Sequence, residues 1–207
     1  HVLDFGDSRA CAAALRRLQP THVIHLAGFA NSDRSVAAIS RSLDVNLLSG
    51  MNFILGAMDA VPSARIVLAG TLETSSPWKG PIEVGSPYGI SKLTGEYYLA
   101  YYQRVSGIQY VSLRFSNVYG PRQDPYGEAG VVAIFTQKML AGEQPIINGN
   151  GRQTRDFIYV DDVVEAHMAV LGKDIQGIYN VGTAHETSIN ELFVKLAELT
   201  KSGCKQL

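Results

Sequence analysis

Tyr88 and Lys92, four residues apart in SPYGISK at 86–92, are the pair whose types and spacing most directly suggest chemistry. In a helix, residues i and i+4 lie one above the other, so phenol and ammonium would share a face. A free phenol, with a pKa of about 10, is a poor base at neutral pH. A lysine cation beside it favours the phenolate and is expected to bring it toward neutrality. Such a pair could pass a proton to or from an alcohol or ketone oxygen while hydride moves at the attached carbon. A third hydroxyl should orient that oxygen, and Thr71, just past the apolar run RIVLA at 65–69, is the best placed. With 10 tyrosines in the chain, a YxxxK spacing arises readily by chance, so the pair gains weight only from its surroundings.

Those surroundings must hold Tyr88, Lys92 and Thr71 together. THVIHLA at 21–27 has the composition of a buried parallel strand, and residues 43–58 carry apolar positions at helical spacing despite two glycines. RIVLA predicts a second strand, residues 70–87, with three prolines and three glycines, a loop, and residues 88–105 a helix. A strand follows at 109–115. This strand and helix alternation is that of βαβ units, and the fold class is α/β. Further on, 118–130 is expected to be an active-site loop, 131–140 a helix, 144–147 a short strand, and GNGRQTR at 149–155 a turn into a strand at 156–160. Asp161 and Asp162 precede a helix at 163–171, where carboxylates complement the positive helix end, and 189–201 forms one more helix. The opening HVLDFGDSRA reads as a strand leading into a helix at 10–18. A dinucleotide-binding domain normally opens on a strand and a glycine-rich turn, and no GxGxxG or GxxGxxG occurs. Either the fold is different or the sequence is a piece of a longer one.

Bulk properties exclude more than they identify. The 207 residues are 46% hydrophobic and 18% charged, with 18 Lys and Arg against 19 Asp and Glu. A net charge of -1 provides no counter-field for a phosphate backbone or anionic lipid, so neither nucleic acid nor membrane is an expected partner. The apolar runs are too short for a transmembrane helix, and the first residues lack a signal peptide's unbroken apolar stretch. Cys11 and Cys204 have neither CxxC nor metal-ligand spacing and read as free thiols of a reducing, cytoplasmic compartment. The histidines form no ligand spacing: His25 reads as a strand-end core residue, His167 lies on a helix and His185 on a loop. No metal is expected.

Four stretches, in one consistent order, change the weight of YxxxK: HLAGFA at 25–30, SPYGISKLTGE at 86–96, LRFSNVYGPRQ at 113–123 and GNGRQTRDFIYVDDVVEAH at 149–167. Together they resemble the extended short-chain dehydrogenase/reductase family, specifically the NAD-dependent epimerase/dehydratase group acting on nucleotide sugars. The resemblance covers nearly the whole chain from about Val2 and lacks the group's glycine-rich opening segment. It implies a Rossmann-like doubly wound parallel sheet at 1–116 and a mainly substrate-binding region at 117–207, with the chain returning to the Rossmann domain. By the same resemblance Tyr88 is the catalytic acid or base, Lys92 its partner on the nicotinamide ribose, and Thr71 the hydroxyl on the reacting sugar oxygen. Asp4, in the pair Asp4 and Asp7, would face the adenine, while Leu26, Ala27, Gly28 and Ala30 line the cofactor cleft. Asn46 matches an asparagine that either bridges structurally or touches ligand. Asn117 and Arg155 match residues on the nucleotide-sugar diphosphate, a task suited to arginine's rigid fork. Arg122 could reach sugar or phosphate, and Asp156 and Tyr159 support the strand and domain interface. The implied cofactor is NAD, with NADP left open, and the implied assembly is a homodimer.

Within the group, Thr71-Leu72-Glu73 departs from the Thr-Asp-Glu of the 4,6-dehydratases, and leucine cannot donate the proton that dehydration needs. Glu73, counted among the substrate contacts, matches a glutamate shared by uronic-acid decarboxylases and some 4-keto reductases, and Ala69-Gly70 stand where epimerases usually carry serines. An epimerase is the leading expectation, with reductase and decarboxylase as alternatives and a truncated Rossmann-like binding module as the non-enzymatic one.

Overall fold

The structure, a computed structural model, describes residues 3–30, 35–74, 86–126 and 130–205. The elements in chain order are α1 (Ser8–Leu18), β1 (His22–His25), α2 (Val36–Ser42), a π-helical stretch (Leu43–Ser49), α3 (Gly50–Ala60), β2 (Arg65–Thr71), a 3-10 turn (Leu72–Thr74), α4 (Pro87–Ser106) and β3 (Gln109–Phe115). They continue with β4 (Asn117–Tyr119), α5 (Val131–Leu140), β5 (Thr154–Tyr159), α6 (Val160–Leu171), β6 (Gly177–Val181), β7 (Glu186–Ser188) and α7 (Ile189–Thr200). The chain divides into two compact units, residues 1–114 with 167–180 and residues 115–166 with 181–207.

The first unit is built on a four-stranded sheet ordered β1-β2-β3-β6. β1 and β2 are parallel, from His22 opposite Arg65 to His25 opposite Leu68. β2 is buried along residues 65–68 because both of its faces are covered, which is why RIVLA carries no polar alternation. Leu15, Ile54, Ala57, Ile66, Leu68, Leu99 and Tyr110 form the core. Each large apolar side chain there contributes about 1.5–3 kcal/mol relative to exposure. In the second unit β4 pairs parallel with β5, and β5 pairs antiparallel with β7. α5 and α7 close that unit through Phe135, Met139, Ile189 and Phe193, with the two phenylalanine rings edge-on at 5.9 Å.

The α/β alternation is borne out, and the differences are local. The strand expected at 144–147 is not formed. The Gln144 side chain instead pairs with the backbone of Lys205, donating to its carbonyl at 2.9 Å and accepting its N–H at 3.2 Å. β1 stops at His25, two residues short of the expected end. The helix expected at 43–58 is one part of a continuous run, α2, π stretch and α3, spanning 36–60. The strands β4, β6 and β7 were not expected: they are three to five residues long, and their pattern is set by partners remote in sequence. Residues 75–85 of the expected 70–87 loop, and residues 127–129 of the 118–130 loop, lie outside the described residues.

Candidate active site

α4 begins where its sequence dictates. Ser86 is the N-cap, its hydroxyl accepting the Gly89 N–H at 3.1 Å, and Pro87 occupies the first turn, where a missing N–H costs nothing. One turn in, the Lys92 ammonium lies 5.9 Å from the centroid of the Tyr88 ring. Lys92 is buried, only 7% exposed, and Tyr88 is half-buried. α4 packs against β2 and the 3-10 turn that follows it. At that strand end the Thr71 hydroxyl accepts the Glu73 N–H at 3.3 Å, and the Thr71 carbonyl accepts the Thr74 hydroxyl at 2.7 Å. Gly70, the residue before Thr71, faces a buried cluster: a β-carbon there would lie 2.9 Å from both Glu96 Oε1 and Ser112 Oγ. A larger residue at this position would require that cluster to shift.

The loop after β1 is held to α4 by one amide. Asn46, in the π stretch, accepts the Phe29 N–H at 2.7 Å and donates to the Phe29 carbonyl at 2.9 Å, so its side chain pairs with that backbone in both directions. Its remaining donor capacity reaches Ser42 Oγ at 3.2 Å and Ser91 Oγ at 3.1 Å, and Ser91 donates to the Tyr88 carbonyl at 2.7 Å. These bonds form a structural bridge, one of the two roles expected for Asn46. Between loop and helix, a β-carbon at residue 28 would lie 3.1 Å from both Lys92 Nζ and Asn46 Oδ1, so Gly28 allows the backbone to approach the ammonium. Leu26, Ala27, Gly28 and Ala30 are exposed, Leu26 by 63%. His25, Asn46, Ser91 and Lys92 line a small cavity with room for about one water.

The electrostatics of the pair differ from the simple expectation. Burial pushes the Tyr88 phenol above its ordinary value, and the Glu73 carboxylate pushes in the same direction. Burial lowers Lys92 to about 8, opposed by Glu96. Desolvation of the phenolate and the Glu73 carboxylate thus move Tyr88 away from neutrality, opposite to the direction expected from a neighbouring lysine. Burial, with Lys92 nearby, lowers His25 to about 4, so this imidazole is neutral at pH 7 and stacks on Phe53 at 5.4 Å.

The other expected site residues are held differently. Asp4 is exposed and accepts the Gly6 N–H at 2.8 Å, while Asp7 is the N-cap of α1, accepting from Arg9 and Ala10. Asn117, Arg122 and Arg155 belong to the second unit and are all exposed. Asn117 opens β4 opposite Phe157, Arg122 has a left-handed φ of 70°, and Arg155 Nη1 donates to the Thr154 carbonyl at 2.7 Å. Asp156 holds the loop after β6, accepting from the Thr183 N–H and hydroxyl and from the Ala184 N–H. Tyr159 ends β5 with its ring 5.5 Å from that of Tyr119. Residue reasoning missed Ser42, Ser91, Glu96, Ser112 and Arg114. A carboxylate four residues after Lys92 was a visible signal, but the partners that bury it come from a different strand. Among the described residues no cluster of three metal-ligating side chains occurs, and no helix is long and apolar enough to cross a membrane.

Comparison with known proteins gives these features a context. Residues 1–182 match the NAD dependent epimerase/dehydratase family model. A Methanocaldococcus jannaschii protein provisionally named a UDP-glucose 4-epimerase is 46% identical over 179 residues, 83% of this chain and 58% of its own length. The crystal structure of the Thermotoga maritima UDP-glucose 4-epimerase with UDP-glucose superposes with a TM-score of 0.92 at 34% identity, covering 100% of this chain and 70% of that one. That of the Thermus thermophilus UDP-glucose 4-epimerase complex with NAD gives 0.87 at 36% identity, covering 98% and 69%. The chain thus spans a little over half the length of that curated relative.

Proposed function

The chain belongs to the NAD dependent epimerase/dehydratase family, and on that premise we propose that it is an NAD-dependent nucleoside-diphosphate-sugar epimerase, oxidising a sugar hydroxyl transiently to a ketone and reducing it from the opposite face. The observation that carries this reading is the joint placement of Tyr88, Lys92 and Gly28: a phenol and an ammonium on one helical face, against a loop whose small residues leave its backbone open. Those small residues suit a flat dinucleotide, and Leu26, Ala27, Gly28 and Ala30 would border it, with Lys92 on its nicotinamide ribose and Asp4 toward its adenine. When bound, NAD supplies reversible hydride acceptance at the sugar carbon. Tyr88 removes the hydroxyl proton and later returns it, and the Thr71 hydroxyl orients the oxygen. Burial leaves Tyr88 a protonated phenol in the ligand-free protein, so its work as a base requires added positive charge beside it. Asn117 and Arg155 would hold the diphosphate, with Arg122 near sugar or phosphate. UDP-glucose, named for the relatives, is the first substrate to test. A second copy of the chain is the proposed protein partner, and exposed Tyr97, Tyr98 and Tyr101 on α4 offer apolar surface for it.

Glu73 favours a second reading. Its carboxylate acts on Tyr88, which suits a 4-keto reductase or uronic-acid decarboxylase with an extra acid at the reacting carbon. Leu72 lacks the proton that a 4,6-dehydratase needs beside it. The test is turnover of the intact enzyme carrying Tyr88→Phe. Loss of roughly 10²-fold or more with the fold retained is expected, whereas near-normal turnover across the pH range eliminates Tyr88 as the obligatory acid or base. Product analysis with UDP-glucose and with a UDP-hexuronic acid then separates the epimerase from the decarboxylase.

A further inference from the structure

Glu96 is fully buried, one helical turn beyond Lys92. A carboxylate in that position remains ionised only if donors replace its lost water. Ser112 donates to Oε1 at 2.7 Å, and Arg114 Nε lies 3.0 and 3.1 Å from the two oxygens, with Nη2 completing the fork. Stability alone does not call for such a pair, because apolar residues of similar volume often replace a buried ion pair without loss. Its location is more specific. Residues i and i+4 share a helical face, so Glu96 and Lys92 leave α4 on the same side. Gly70, adjacent to Thr71, leaves open the space that the cluster fills.

We propose that Glu96 is a positioning residue for the proton-transfer pair: it holds Lys92 in its charged form, and through Ser112 and Arg114 it fastens α4 to β3. The inference rests on the roles given above to Tyr88 and Lys92. The groups facing Lys92 support it. β1 contributes His25, which is neutral at pH 7; the π stretch contributes the uncharged Asn46; α4 contributes the Tyr88 phenol and Glu96. Among these Glu96 is the anion, and it opposes the burial that would otherwise strip Lys92 of its proton. Arg114, on β3, offsets part of that carboxylate's charge.

The experiment reads Lys92 directly, by NMR titration of its ε-carbon in the intact enzyme, the signal being assigned by its loss in Lys92→Met. In Glu96→Gln the midpoint is expected to fall below the wild-type value of about 8, by on the order of one pH unit. In Glu96→Asp, which keeps the charge, it should stay near wild type, and the kcat/KM profile should move with it in both. Should Glu96→Gln not fold because Arg114 loses its carboxylate partner, the double variant Glu96→Gln with Arg114→Gln removes both charges and is expected to lower the midpoint as well. A wild-type titration in Glu96→Gln or the double variant overturns the proposal, as does a shift in Glu96→Asp equal to that in Glu96→Gln. Because the titration does not require turnover, active Tyr88→Phe would overturn the proposed reaction and leave this result standing. An unshifted Lys92 would do the reverse.

Discussion

Lys92 and Arg155 are both cations assigned to ligand or chemistry, yet the first is buried in a cluster of fixed polar groups and the second lies exposed with one neighbouring carbonyl as its hydrogen-bond partner. The same contrast extends to their surroundings. In the first unit Asn46 donates to Ser91, Gly28 lies close against Asn46 and Lys92, and both Lys92 and Tyr88 are displaced from their ordinary ionisation. In the second, Asn117, Arg122 and Arg155 stand on a strand start, a turn and a strand surface. Groups that must transfer a proton benefit from fixed, desolvated surroundings, since charge there is stabilised without reorganisation. Groups that grip a diphosphate lose little by waiting in water, because the ligand itself completes their bonding.

The comparison can be broken by substitution. Its largest expected effect is in Arg155→Ala of the intact enzyme, which should weaken nucleotide-sugar binding by about 2–4 kcal/mol while leaving the thermal midpoint unchanged. Titration calorimetry beside thermal unfolding checks both, and unaltered affinity would remove Arg155 from the diphosphate site. Lys92→Met should do the opposite, abolishing turnover while raising stability at pH 7 by about 3 kcal/mol. The direction follows from the lowered value of about 8 against 10.5 in the unfolded chain. Below pH 8 both states carry the proton and the folded state bears the cost of the buried ammonium. Between 8 and 10.5 the unfolded chain binds more protons, so wild-type stability rises with pH. Urea unfolding across pH 7 to 10.5 should show that rise in wild type and its loss in Lys92→Met.

Asn46→Ala leaves both polar groups of Phe29 without that partner and should cost about 1–2 kcal/mol, read from the denaturant midpoint, with weaker NAD binding as the loop after β1 loosens. If cofactor affinity is unchanged, the bridge serves stability alone. The smallest effect sharpens the distinction between burial and membership of a unit. Arg16 and Asp59 form an ion pair in the first unit, with side chains 56% and 65% exposed. Arg16→Ala should change stability by less than about 1 kcal/mol; a larger loss in thermal unfolding would show that exposure is not what separates the two groups.

How much of this was legible in the sequence varies by element. The helices expected at 131–140 and 189–201 form over Val131–Leu140 and Ile189–Thr200, and α4 starts at the expected Ser86-Pro87 entrance. The short strands were not legible, since three residues such as Glu186–Ser188 carry no period of their own and pair only because Thr154–Asp156 lie opposite. The same holds for the site. Tyr88 and Lys92 share a helical face by spacing alone, a consequence of 3.6 residues per turn that requires no tertiary contact. The α/β class likewise follows from the alternation of apolar runs. What only the tertiary structure decided is the environment of those groups: that Asn46 bonds the backbone of Phe29, that Glu96 meets Ser112 and Arg114 beneath Gly70, and that burial sets the direction in which the ionisation of Tyr88 moves. Spacing determines which side chains are neighbours along one element, whereas desolvation and hydrogen-bond partners depend on residues brought close from elsewhere in the chain.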